Sequence, residues 1–400
     1  MLSRSAVDSF ARILVVLTIA TLLVATYRVF HACDTPFLAF ALIGGAIAHL
    51  ATRPRRGEVL LTAVLAVCVE LAYSLSGGKT GAWTGSYVVA AATALGMAST
   101  LVLGFHACRH TKYLQGFLLA ACVPLFMIVA NLGLGLMIGW TPRVFDHFLF
   151  QFDGALGGQP AFWTARVFAG FAPLRDTCFL IYAALPLAYT AWIVAHFSKR
   201  VPRGANPLSI FVLAGVLGFI GYQICPGGGP RAVFGPAYPD HPPASVELAQ
   251  VPMGPTPRNA MPSLHSTWTM LLWWNLRKKK YWNWASGLFL LLTLAATLGF
   301  GEHWLIDLIV AVPLSCAVQL AAESRFAPAA LGAALTLGWL VYFRFHFLGL
   351  TPTPGFAWSS AALTLSAPLL PKLAGTAAGV FAESRGYHTK SRAVTDSVRS

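Results

Sequence analysis

Two short strings carry the side chains of nucleophilic and acid/base chemistry: Met261-Pro262-Ser263-Leu264-His265-Ser266 and Gly301-Glu302-His303-Trp304-Leu305-Ile306-Asp307. Each follows turn-rich chain and runs straight into an apolar segment. Residues four apart share one face of a helix, so the Asp307 carboxylate can reach back, orient the His303 imidazole and strengthen it as a nucleophile. His265, on a neighbouring helix, completes an acid/base pair.

The loop ahead of them opens with Cys225-Pro226-Gly227-Gly228-Gly229-Pro230-Arg231 and closes with Pro257-Arg258-Asn259-Ala260. Consecutive glycines let backbone N–H groups, those of Gly228 and Gly229 among them, converge on an anion, and Arg231 and Arg258 offer charge-assisted contacts to its oxygens. Ser263 and the N–H groups opening the next helix add donors at a positive helix end. This is the equipment of a phosphate pocket. His303 would attack phosphorus in line and His265 would protonate the departing oxygen. Water or an alcohol then displaces the phosphohistidine. The arginines and backbone dipoles neutralise the developing charge, so the chemistry calls on no metal and no cofactor.

The elements that position these residues must lie in a membrane. Of 400 residues, 56% are hydrophobic and 10% charged, and mean hydropathy is +0.65, a composition that suits helices facing lipid. Net charge is +14, but the basic residues fall in short clusters between apolar runs, which argues for membrane-flanking loops and against nucleic acid. The seven cysteines are scattered without a Cys-x-x-Cys pair, so neither a zinc site nor a disulfide framework is indicated.

At about 20 apolar residues per span, about twelve spans are expected, near 9–30, 36–51, 59–76, 86–105, 114–140, 176–197, 207–225, 263–276, 283–300, 303–322, 328–347 and 354–371. Thr141 to Leu174 is too interrupted to cross and reads as interfacial. The basic clusters Arg53/Arg55/Arg56, Arg109/Lys112, Lys199/Arg200/Arg203 and Arg277 to Lys280 all fall in even-numbered loops. By the positive-inside rule both termini are then cytoplasmic, and the 226–262 loop, His265 and His303 share the non-cytoplasmic side. The chain divides into N-terminal helices (1–112), a catalytic bundle (113–322), C-terminal helices (323–371) and a polar basic tail (372–400).

Pro262-Ser263-Leu264-His265 and His303-x-x-x-Asp307 resemble the second and third signatures of the type 2 phosphatidic acid phosphatase superfamily. The Ser-Leu-His form, the Pro-Arg ahead of it and the Gly-Glu-His-Trp context are similar to the branch containing fungal inositol phosphorylceramide synthase. The resemblance covers roughly Tyr113 to Ala322 and implies a six-helix catalytic bundle, with His303 as nucleophile, His265 as its acid/base partner and Asp307 as its aspartate. Two family features are missing. Ala296 and Thr297 stand where the phosphatase pattern has Ser-Arg, and the first signature is absent, with Arg231 an approximate substitute. Both departures favour a transferase. The expected activity is therefore transfer of a phosphorylated, inositol-phosphate-like head group from a phospholipid donor to a lipid alcohol such as ceramide. A lipid-phosphate phosphatase is the alternative, and a secondary transporter, which Glu70 in the third span would allow, is a more remote one.

Other residues have blander readings. His49, His106 and His147 read as interfacial polar groups, and Trp268, Trp273, Trp274, Trp282, Trp284 and Trp304 as an aromatic belt. Asp146 and Asp153 either cap short helices or bind head-group hydroxyls. The proline-rich Phe234 to Thr256 segment is a lid or a connector.

Overall fold

The computed structural model describes residues 4–32, 36–75, 87–201, 204–345 and 352–369; the expected tail at 372–400 and Arg203 lie outside them. The fold is an all-α polytopic membrane protein. Its helices are α1 (Arg4–Ala32), α2 (Pro36–Ala51), α3 (Arg56–Leu75), α4 (Tyr87–Arg109), α5 (Leu114–Trp140), α6 (Asp146–Ala155), α7 (Pro160–Gly170), α8 (Ala172–Ala183), α9 (Leu185–Phe197), α10 (Pro207–Ile224), α11 (Pro230–Phe234), α12 (Leu264–Leu276), α13 (Lys280–Gly299), α14 (Leu305–Ala322), α15 (Phe326–Phe345) and α16 (Pro354–Leu365).

Every expected span holds a helix, but not every one of the twelve is long enough to cross a membrane by itself. Among the described residues eight helices are long and apolar enough to cross a membrane, or nine if α8 and α9, bent by 45° at Ala184, form one span. Pro186 in the first turn of α9 explains the restart. The shortfall lies in α2, α12 and α16, with 16, 13 and 12 residues. Thirteen residues rise only about 20 Å, against about 30 Å of hydrocarbon.

Burial identifies the centre. The apolar window of α14 is 72% buried and that of α3 only 6%, so α14 is the axle of the bundle and α3 faces outward. Helix α14 packs on α15, α12, α10 and α16. The first helices are not a detached unit, because α2 packs on α5 and α9 as well as α4, and its Ala41 belongs to the core that holds Tyr189, Trp192 and Trp268. Close approach of α2 and α4 depends on Gly96, where a Cβ would stand 2.1 Å from the Leu42 carbonyl oxygen.

His49 is 5% exposed and 3.4 Å from the Thr62 hydroxyl, and His106 Nε2 is 3.6 Å from Glu58, so these histidines join a polar cluster among the ends of α2, α3 and α4. Trp304 is fully buried and Trp268 nearly so, which removes both from the aromatic belt; Trp282 and Trp284 are 45% and 73% exposed and fit it.

Candidate active site

His265 is the second residue of α12, and His303 ends the turn that leads into α14. With α13 returning between them, α12 and α14 begin at the same end of the bundle, and the two imidazole centroids lie 6.4 Å apart. Their juxtaposition is the premise of the sequence reading, and the structure provides it.

His303 is 2% exposed. Its Nδ1 lies 2.7 Å from the main-chain carbonyl of Ala260 and 3.5 Å from Asp307 Oδ2. A carbonyl oxygen can only accept, so Nδ1 carries the proton and Nε2 keeps its lone pair. Asp307 is therefore not the nearest orienting group that sequence spacing suggested. Its Oδ2 accepts the Trp304 N–H at 2.8 Å, and its Oδ1 is buried with no hydrogen-bond partner among the described residues. His265 stacks on Tyr182 at 4.2 Å between centroids, with the Tyr182 hydroxyl 3.3 Å from Nδ1, and Phe37 of α2 lies 5.1 Å away.

The expected phosphate ligands separate into two sets. Gly228 and Gly229 do direct their N–H groups at an anion, but the anion is the protein's own: Asp146 accepts them at 2.9 and 2.8 Å, and accepts the Trp304 indole N–H at 2.8 Å. Gly229 holds φ +81°, and a Cβ there would stand 2.4 Å from the Glu302 carbonyl oxygen, so only glycine fits. Arg258 is also corrected. It is 1% exposed and its guanidinium donates to the carbonyls of Thr141, Met253, Gly254 and Thr256, which makes it the internal clamp of the 226–262 loop and not a ligand for phosphate. Ser263 caps α12, its hydroxyl accepting the Ser266 N–H at 3.4 Å and lying 2.9 Å from the Ser266 hydroxyl. Arg231 differs from Arg258. Its side chain is exposed, its N–H donates to the Gly301 carbonyl beside His303, and its guanidinium has no hydrogen bond or ion pair among the described residues.

Asp146 and Asp153 are fully buried and do not face a head group. Asp153 accepts the Leu305 and Ile306 N–H groups at 2.7 and 3.0 Å, satisfying the donors that open α14. Burial pushes both carboxyls up, Asp146 to about 6, while the N–H donors pull the other way. The pair sits seven residues apart on one face of α6, a spacing that could have marked them as a unit. The proline-rich loop is tied down rather than free. Arg143 and Val144 pair antiparallel with Pro252 and Val251, and the Tyr238 hydroxyl lies 3.0 to 3.3 Å from the carbonyls of Leu298, Ala161 and Gly299.

The His265 and His303 rings thus lie 6.4 Å apart, with the Arg231 main chain bonded to Gly301 two residues before His303. Residues 147–321 match the family model of the PAP2 superfamily. The match begins one residue into α6 and takes in His265, His303 and Asp307. Helices α1 to α5, including Phe37, lie outside the PAP2 match. No curated protein and no solved structure matches the chain. Ala260, Tyr182 and Phe37 carry no sequence signal, because a main-chain acceptor and two distant aromatics become neighbours only through packing.

Proposed function

We propose that the chain is a lipid phosphotransferase that passes a phosphorylated head group through a phosphohistidine at His303. The observation that carries this reading is the carbonyl-held Nδ1 of His303, which leaves Nε2 its lone pair in a ring 6.4 Å from a second imidazole. In the first half-reaction the Nε2 lone pair forms an N–P bond as the bond from phosphorus to the lipid alkoxide breaks. His265, whose protonated form burial and His303 disfavour, acquires a proton only with the phosphate anion beside it and gives that proton to the alkoxide, while Arg231 balances the charge on the equatorial oxygens. In the second, His265 takes the proton of an acceptor hydroxyl, whose oxygen displaces His303 from phosphorus. The resemblance of the two signatures to the inositol phosphorylceramide synthase branch points to phosphatidylinositol as donor and ceramide as acceptor.

We also propose that the site faces the non-cytoplasmic side. The turn from Arg277 to Lys280 lies at the end of α12 opposite His265, and such basic clusters remain cytoplasmic.

The test is product analysis by mass spectrometry after incubating the purified protein with phosphatidylinositol, with and without ceramide. Diacylglycerol that appears only with ceramide supports the transferase. Free inositol phosphate without an acceptor would establish the phosphatase instead. Label from phosphate-labelled donor should be acid-labile and vanish in His303→Ala; no label and no product would leave the transporter reading.

A further inference from the structure

The end of the bundle opposite the histidines holds a second chemical feature. Where α9 and α12 end and α10 and α13 begin, an open cleft is lined by Trp192, His196, Asn275, Lys278, Lys279 and Trp282, and among the described residues no carboxylate lines it. Lys278 and Lys279 are exposed and make no ion pair among the described residues. Asn275 is already committed, its amide donating to Leu271 and Gln319, so it stiffens the wall. Trp192 is 6% exposed and Trp282 45%, so one indole is packed into the protein while the other reaches the surface, the placement of side chains at a membrane–water boundary.

We infer that this cleft binds the phosphate of an anionic phospholipid, at a place separate from the histidine pair. Two unneutralised ammonium groups and an imidazole supply the attraction for a phosphate. The lipid identity follows from the surroundings. Trp284, Leu288 and Leu291, 73%, 57% and 63% exposed, lie along one face of α13 as it leaves the cleft and give acyl chains a surface to lie on. A soluble phosphate would use the cations but not the indole or that apolar face. A lipid seated there would bridge the ends of α9 and α12 on the side away from the reaction.

The full-length protein in phosphatidylcholine nanodiscs doped with phosphatidylglycerol tests this by native mass spectrometry of retained lipid. The wild type should retain phosphatidylglycerol in preference to phosphatidylcholine. The double variant Lys278→Gln/Lys279→Gln should weaken that retention about tenfold, and Trp282→Ala should weaken it with no change of charge. Lys199→Gln/Arg200→Gln removes the same charge outside the cleft lining and should leave retention unchanged. Equal loss in both double variants would mean a diffuse basic face and overturn the site, as would retention indifferent to head-group charge. Inorganic phosphate that displaces phosphatidylglycerol at matched concentration would show a soluble-anion site and overturn the lipid assignment.

Discussion

At the scale of single residues, His303 is held by a main-chain atom, and this separates the expected effects of substitutions around it. Asp307→Asn should lower turnover about 100-fold, well short of the ~10⁴-fold loss where a carboxylate alone sets the tautomer, because the Ala260 carbonyl still holds Nδ1. A steady-state kcat reduced as far as in His303→Ala would refute that division of labour. Arg231 and Arg258 should part in the same way. Arg231→Gln should leave the melting temperature alone and reduce kcat/KM, whereas Arg258→Ala removes four contacts to carbonyls and should lower thermal stability by several degrees, on the order of 2 kcal/mol or more. In the sequence the two arginines look interchangeable, each beside a proline in the loop ahead of the first string. What distinguishes them is the number of carbonyls within reach, which only the folded loop determines. His265 and His303 were legible because their spacing from helix starts is local; Tyr182 and Phe37 were not, because they arrive from other helices.

At the scale of elements, α6 acts as a latch on the start of α14. Its two carboxylates take five N–H donors from the glycine turn, the Trp304 indole and the first residues of α14. The glycine triplet was read correctly as an anion cradle and wrongly as one for substrate, since nothing in the sequence says that Asp146 will reach it first. Asp153→Asn puts an amide where two N–H groups need acceptors and should cost about 1–2 kcal/mol, seen as a lower melting temperature in detergent. Gly229→Ala should be worse, given its positive φ and the Glu302 carbonyl in the way, and should abolish activity through the 301–303 turn even where protein is recovered. Wild-type kcat in either variant would show that the latch does not position His303.

At the scale of the whole molecule, hydropathy placed a helix at every expected span but not α6 or α11, and three of its runs, α2, α12 and α16, are short helices, because a run of apolar residues looks the same whether it spans lipid or lies short against other helices. The division expected at residue 113 cuts across close packing. Helix α2 places Phe37 beside His265 and Ala41 in the central core, so a chain lacking residues 1–112 should express poorly or lose turnover, as detergent extraction and product assay would show. Full activity in that truncation would make the first helices accessory. The shortness of α12 has a further physical result. From His265 to Leu276 is a rise of about 17 Å, well short of a hydrocarbon layer about 30 Å thick. A helix that short cannot match both faces of the layer its longer neighbours cross, so lengthening the acyl chains of the host membrane should change turnover, as assays in bilayers of graded thickness would show.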